Sequence, residues 1–164
     1  MARRAFYSFH YVADNWRAGQ VRNMGVIEGN APVSDNDWES VTRGGAASIE
    51  RWIERQLQGK SCVIVLIGHS TADRKWVRHE IKRGWDLGKG LVGIHVHGLK
   101  DRNGQTARRG RNPFEDFAVN STPLTLFAKA HDPVGGDSNT IYRSISENLE
   151  RWVEDAIAAR QAVG

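Results

Sequence analysis

The stretch CVIVLIG, from Cys62 to Gly68, is the longest apolar run in the sequence. An unbroken apolar strand is buried on both faces, which is typical of a central parallel strand covered by helices. Before the run, apolar residues recur at helical spacing up to Leu57, and after it Val77, Ile81 and Trp85 recur at steps of four. The run is therefore predicted to be the middle strand of a helix–strand–helix unit.

The same patterns predict strands and helices on either side of this unit. Helices are expected from Asp14 to about Asn23, with Asp14 as the cap, from the capping sequence Ser70–Asp73 onward, and over residues 139–160. Further strands are predicted at Ala5–Phe9, Gly25–Gly29, Leu91–His97 and, as a short edge strand, Pro123–Phe127. Strands that alternate with helices predict an α/β, flavodoxin-like fold: an open parallel sheet of about five strands with helices on both faces.

The composition bounds the class of protein. The chain has 164 residues, 40% of them hydrophobic and 26% charged, which predicts a single globular domain over residues 1–164. The apolar run falls far short of the ~18 residues of a membrane span, and the polar start lacks the apolar segment of a signal peptide. We therefore expect a cytoplasmic protein without membrane contact. Cys62 is the single cysteine and is expected to be a buried strand residue.

A formal charge of +4 and a pI near 9.5 raise the possibility of a nucleic-acid partner. The basic residues around Arg51–Arg55 and Arg74–Arg83, however, alternate with acidic residues in predicted helices. The bare cluster is Ala107–Arg111 (ARRGR), for which a solvated loop is favoured over a phosphate-binding patch. Nucleic-acid binding through Arg108, Arg109 and Arg111 is therefore kept only as a minor alternative.

The candidate site follows from the fold. Open parallel sheets bind ligands beyond the carboxyl ends of their strands, so the turns after Phe9 and Gly68 and the loop after His97 are of interest. Trp76 and Glu80 are four residues apart and share a helix face, so Glu80 is either a functional acid at an apolar boundary or an ordinary surface residue.

In the second interpretation, Glu80 forms an ion pair with Arg83 or Lys82 on a solvent-exposed helix face.

His95 and His97 lie on one face of a predicted strand. With no suitably spaced third ligand, they are interpreted as structural histidines rather than a metal site.

Several motifs together resemble one family. The sequence is similar, from Phe6 to about Phe117, to the TIR-like family found as the NAD-processing subunit of Thoeris antiphage systems. Trp76 and Glu80 resemble the W-x-x-x-E of TIR domains, with Val77 where many relatives have Cys. The other motifs that carry the resemblance are FYSFHY (Phe6–Tyr11), VRN (Val21–Asn23), LIG (Leu66–Gly68) followed by Thr71, RKWVRHEI (Arg74–Ile81), GIHVHGLKD (Gly93–Asp101) and NPF (Asn112–Phe114).

The resemblance implies an enzyme that cleaves the nicotinamide–ribose bond of NAD and makes a linear or cyclic ADP-ribose signal in antiphage defence. It implies Glu80 as the catalytic residue and NAD as the substrate, with no cofactor. A separate nucleotide-sensing effector is the expected partner, activation by a trigger is expected, and self-association is compatible with this interpretation. The alternative is a non-catalytic TIR-type interaction module. The expected substrate-binding residues are Ser8, Phe9, His10, Tyr11, Arg17, Arg22 and Trp76.

Overall fold

The computed structural model describes residues 3–28 and 41–163. Four strands form a parallel sheet in the order β1-β2-β3-β6, and β4 and β5 form a separate antiparallel pair. The strand bounds are β1 (Ala5–Ser8), β2 (Cys62–Ile67), β3 (Gly90–His95), β4 (Ala118–Val119), β5 (Thr122–Pro123) and β6 (Lys129–His131). Every residue of β2 is buried, which confirms that the apolar run is a central strand.

Helices cover both faces of the sheet, and their bounds are α1 (Tyr11–Arg22), α2 (Gly45–Leu57), α3 (Lys75–Asp86) and α4 (Ser138–Val163). Because successive side chains of a strand point to opposite faces, β2 divides its residues between two cores. Cys62, Ile64 and Leu66 pack on the side of α1 and α4. Val63, Val65 and Ile67 pack on the side of α2 and α3. The α/β, flavodoxin-like class is thus confirmed.

The strand predicted at Gly25–Gly29 is reduced, in the described part of the chain, to one parallel bridge between Arg4 and Glu28. This bridge places Glu28 beside β1, on the side away from β2. With it, the order of parallel segments along the sheet is 2-1-3-4-5, as in flavodoxin-like folds. The switch in strand order lies between β1 and β2. Gly29 and the loop predicted over residues 30–40 lie outside the described residues.

Three local predictions were wrong. Helix α1 begins at Tyr11, so Asp14 lies in its first turn instead of capping it. Ser70 makes no capping bond with its side chain, and a 3₁₀ turn (Thr71–Asp73) precedes α3, which begins only at Lys75. The predicted edge strand Pro123–Phe127 is mostly a 3₁₀ turn, Leu124–Leu126. The edge strand of the main sheet is β6 instead.

The ends of the longer elements agree with the patterns that predicted them. Gly88, just beyond the end of α3, has a φ of +78°, a conformation that glycine adopts without strain. The C-terminal helix begins at Ser138, one residue before the predicted start. None of the described helices combines the length and apolar character needed to span a membrane.

Gly90 allows α4 to approach the sheet closely. A Cβ at this position would lie 2.7 Å from Ile157 N and 2.8 Å from Ala156 C, which are backbone atoms of α4. We expect Gly90→Ala to lower the free energy of unfolding by about 1–3 kcal/mol, because the helix backbone must shift to make room. Urea denaturation measures the loss.

Gly19 provides the matched control for this prediction. It lies within α1, and a Cβ there would have no neighbour within 4 Å. Gly19→Ala should therefore raise stability by about 0.5–1 kcal/mol, since alanine is the better helix former. Equal unfolding midpoints for the two alanine variants would contradict this account of the close approach between β3 and α4.

Candidate functional site

A cavity of about 380 Å³ lies at the carboxyl end of β1, where the strand order switches. Its wall combines the segment Phe6–Val12, without Ser8, with Asp73–Val77 from the turn after β2 and the start of α3. Two of the three segments expected from the sequence, after Phe9 and after Gly68, therefore meet here. The third, after His97, does not line the cavity. The remaining lining residues are Arg22, Trp52, Ile53 and Glu80.

Glu80 lies on the cavity wall and is 7% exposed. Its position follows from the period of helix α3. Val77 and Ile81 pack into the core, and Trp76 and Glu80 lie on the neighbouring face of the helix, which therefore borders the cavity. Ser8 Oγ donates a hydrogen bond of 2.6 Å to Glu80 Oε1. Burial raises the pKa of Glu80 to about 8, against the lowering effect of the bond from Ser8.

The interpretation of Glu80 as a surface residue paired with a neighbouring cation is wrong. Arg83 forms its ion pairs with Glu54 at 2.7 Å and with Asp86 at 3.5 Å. Lys82 lies 3.4 Å from Asp86. The Glu80 carboxyl is thus held by a neutral hydroxyl group. Among the residues that the structure describes it has no cationic partner, and burial is what raises its pKa.

Aromatic side chains form much of the cavity wall. Phe9 and Tyr11 stack with their ring centroids 6.3 Å apart, and both they and Trp76 are half-buried. His10 separates Phe9 from Tyr11, and its Nδ1 lies 3.3 Å from Ser70 Oγ. Burial lowers the pKa of His10, and the charge of Arg74 lowers it further. Such a wall offers flat, apolar surfaces to the rings of a nucleotide.

Positive charge predominates at the cavity. The Arg22 guanidinium lies 6.0 Å from the centre of the Phe9 ring, and Lys75 Nζ lies 4.8 Å from the centre of the Trp76 ring. Arg74 also lines the cavity. The nearby acid Asp73 is paired with Arg111 at 3.1 Å. The cavity is therefore suited to a ligand with aromatic rings and anionic groups.

Of the predicted binding residues, Phe9, His10, Tyr11, Arg22 and Trp76 line the cavity, whereas Arg17 does not. Arg17 is 4% exposed and pairs with Asp14 at 2.9 Å. Its Nε and Nη2 donate to the carbonyl groups of Leu99 and Gln105 at 2.8 Å each. Arg17 therefore joins α1 to the loop after β3, and we leave it out of the proposed site. Ser8 does not line the cavity either, and it contacts Glu80 instead.

Nine lining residues were not among the predicted site residues: Phe6, Tyr7, Val12, Trp52, Ile53, Asp73, Arg74, Lys75 and Val77. Arg74 and Lys75 could have been found, since they follow the turn after Gly68, which was already a candidate ligand-binding segment. Trp52 lies among the apolar residues that recur at helical spacing up to Leu57, a pattern that indicates a core-facing side chain. In the structure it is half-buried and contributes to the wall from α2.

The histidines and the basic cluster lie elsewhere. His95 is 1% exposed, and its Nε2 lies 3.3 Å from Arg109 Nη2. Burial lowers the pKa of His95 to about 4, and the charge of Arg109 contributes. Arg109 pairs with Asp132 at 2.7 Å, and Arg111 pairs with Asp116 at 2.7 Å. Within the described ranges, no three His, Cys, Asp or Glu side chains are grouped so that they could hold a metal ion.

A parallel flavodoxin-like sheet with a buried acid in a cavity at its switch point, on the helix face marked by Trp76, is the arrangement of a TIR-like domain. The sequence model of the family described as "Thoeris protein ThsB, TIR-like domain" matches residues 6–101. Because the match covers more than half of the 164 residues, the chain belongs to this family. The resemblance noted in the sequence is thus confirmed.

One relative extends the comparison beyond the family. A protein of Bacillus cereus (strain MSX-D12) named "Putative cyclic ADP-D-ribose synthase ThsB1" is 39% identical over 121 residues. The similarity covers 70% of this chain and 62% of that protein. The chain therefore spans less than two thirds of the length of this relative.

Proposed function

We propose that this protein cleaves the nicotinamide–ribose bond of NAD and converts the ADP-ribose part into a signalling nucleotide, cyclic or linear, in antiphage defence. The observation that carries the proposal is the buried Glu80 carboxyl on the wall of a cavity lined by aromatic and basic residues, with no cationic partner in the described part of the chain. The name of the Bacillus cereus relative, "Putative cyclic ADP-D-ribose synthase ThsB1", supports the same chemistry.

The role of Glu80 follows from the charge that develops in the reaction. As the bond between nicotinamide and ribose breaks, its electron pair goes to the pyridinium nitrogen and positive charge grows on the ribose, as in other glycosidic cleavages. A carboxylate in a site sheltered from water opposes that charge strongly. Nicotinamide leaves as a neutral molecule, so no general acid is required. One carboxyl group therefore suffices.

The ionisation of Glu80 depends on the substrate. With a pKa of about 8 in the free protein, much of the carboxyl is protonated at neutral pH. A positively charged pyridinium ring in the cavity favours the ionised form, since an opposite charge within a few ångströms lowers a carboxyl pKa. Binding of NAD thus helps to create the carboxylate that the reaction needs.

The other cavity residues have matching roles. Phe9, Tyr11 and Trp76 bind the planar rings, and Arg22, Arg74 and Lys75 neutralise the pyrophosphate. If a hydroxyl or ring nitrogen of the same ADP-ribose attacks the ribose, the product is cyclic, and if water attacks, it is linear. NAD is the substrate in this proposal, without a further cofactor, and a separate effector protein reads the product.

Nucleotide analysis tests the proposal directly. Cells that express the wild-type protein or Glu80→Gln are challenged with phage, and their nucleotides are separated and identified by mass spectrometry. We expect a new ADP-ribose species, and release of nicotinamide, only with the wild-type protein. A species that forms equally with both proteins would remove Glu80 from its role.

A second function, docking of a partner protein, is favoured by one observation. Val12 and Trp16, four residues apart on α1, are 83% and 57% exposed, and Val12 borders the cavity. Exposed aromatic residues are enriched at protein interfaces. In a pure interaction module, Trp16→Ala would abolish partner binding, and no phage challenge would produce a Glu80-dependent nucleotide.

A further inference from the structure

We propose that Ser8 is a positioning residue for Glu80: its hydroxyl group fixes one carboxyl oxygen and leaves the other for the ligand. This inference deepens the proposed function and, as a statement about catalysis, rests on it. Ser8 was expected from the sequence to contact the substrate. The structure assigns it a different task, because Ser8 is 1% exposed and is not among the residues that line the cavity.

Ser8 is held rigidly by the sheet. It is the last residue of β1, and it pairs in register with Val65 of the central strand β2. Its Oγ donates to Glu80 Oε1 at 2.6 Å, a distance typical of a bond between a hydroxyl and a carboxylate. The bond therefore anchors a long side chain of α3 to the parallel sheet.

The two carboxyl oxygens of Glu80 are not equivalent. Oε1 accepts the bond from Ser8, and no other described side chain or backbone group bonds to the carboxyl. Because Glu80 lines the cavity, Oε2 is the atom left to accept a hydrogen bond from a ribose hydroxyl or to face the developing positive charge. An unanchored glutamate would lose this orientation by rotation about its side-chain bonds.

A hydroxyl group is a better anchor here than a cation. An arginine or lysine at the same place would lower the carboxyl pKa, but it would also compensate the charge that must oppose the oxocarbenium-like state. The hydroxyl of Ser8 favours the ionised form, against the effect of burial, and adds no net charge. Ser8 thus orients Glu80 and promotes its ionisation without neutralising it.

The first test is the pH dependence of NAD cleavage in Ser8→Ala, Ser8→Cys and Ser8→Thr. The kcat/KM profile reports the ionisation of the free enzyme. Loss of the bond in the Ala and Cys variants should move the apparent pKa upward by about one unit, which lowers kcat/KM about tenfold near pH 7. KM should change little, and Thr, which keeps the hydroxyl, should restore the profile. If Ser8 bound the substrate, KM would rise and the apparent pKa would stay, and that result would overturn the inference.

The second test needs no substrate. Unfolding of the wild type, Ser8→Ala, Glu80→Gln and the double variant is measured at pH 5 and pH 9, and the coupling between the two sites is calculated. We expect the coupling to change the unfolding equilibrium constant about tenfold more at pH 9 than at pH 5, because only ionised Glu80 gains fully from the bond. Ser8→Cys, which is close to serine in size, checks that a packing defect does not produce the effect.

The two tests separate the two proposals. A coupling that does not depend on pH overturns the placement of Glu80 by Ser8, whatever the enzyme assay shows. A pH-dependent coupling in a protein that cleaves no NAD under phage challenge supports that placement and overturns the proposed function.

Discussion

Glu80→Gln is expected to make the protein more stable at neutral pH and, at the same time, to remove its NAD-cleaving activity. Nicotinamide release should fall at least 100-fold, a loss in the range caused by removing one electrostatic contact to a developing charge (about 10²–10³). Stability should rise on the order of 4 kcal/mol at pH 8. Opposite changes in stability and activity are typical of an active-site residue that contributes to activity at the expense of stability.

The sign of the stability change follows from proton linkage. The pKa of Glu80 is about 8 in the folded protein, above its ordinary value of 4.5, so between these values the folded state binds more protons than the unfolded state. The stability of the wild type therefore falls as the pH rises from about 4.5 to about 8. Glutamine does not titrate, so the gain of the variant should be near zero at the acidic end and largest at the alkaline end.

Urea denaturation across this pH range measures the effect, with Glu150→Gln as the matched control. Glu150 is exposed on α4, so its replacement should leave the pH dependence of stability unchanged. A constant difference between wild type and Glu80→Gln from pH 4.5 to pH 8 would contradict the buried, unpaired carboxyl described above.

The features that could be predicted from the sequence are those that short segments determine. The run Cys62–Gly68 identifies the central strand because a strand that is buried on both faces consists almost entirely of apolar residues. The four-residue step from Trp76 to Glu80 places both on one helix face, and the apolar residues beside them decide which face points inward. The fold class and the catalytic candidate were therefore accessible.

The features that could not be predicted depend on contacts between distant segments. Ser8 and Glu80 are 72 residues apart, and no local pattern of either segment specifies the other. Strand β6 has only three residues, too few for an alternating pattern to mark it. Its position follows from pairing with β3, and that pairing is a property of the assembled sheet.

Arg17 is the clearest example of a residue whose environment depends on a distant segment of the chain. Its spacing of three residues from Asp14 allows an ion pair on a helix, but the spacing does not tell whether water reaches that pair. Burial comes from the loop after β3, whose carbonyl groups at Leu99 and Gln105 accept the remaining donors of the guanidinium. An arginine that was expected to bind the substrate is instead part of the interior.

Arg17→Ala is accordingly expected to lower the free energy of unfolding by about 3–5 kcal/mol, the range for removing one partner of a buried ion pair. The substitution leaves the Asp14 carboxyl, 1% exposed, without its cation, and leaves two carbonyl groups without their donor. Denaturant unfolding at pH 7 measures the loss. Arg22→Ala is the control: Arg22 is half-buried and lies over the Phe9 ring, so its loss should cost less than about 1 kcal/mol.

The pH dependence of the stability loss in Arg17→Ala distinguishes a buried Asp14 carboxylate without its cation from a simple packing defect. Burial raises the pKa of Asp14, and Arg17 opposes the rise through its hydrogen bond and its charge. Without Arg17 the folded-state pKa rises further above the ordinary 3.8, so the variant should lose additional stability as the pH increases from about 4 to 7. Asp14→Ala in the Arg17→Ala background should abolish this additional dependence, because the Asp14 carboxyl is then absent and the contribution of Glu80 is the same in the wild type and in the variants. A loss below about 1 kcal/mol at pH 7, or one that is equal at pH 4 and pH 7, would show that the Asp14–Arg17 pair does not hold α1 against the loop.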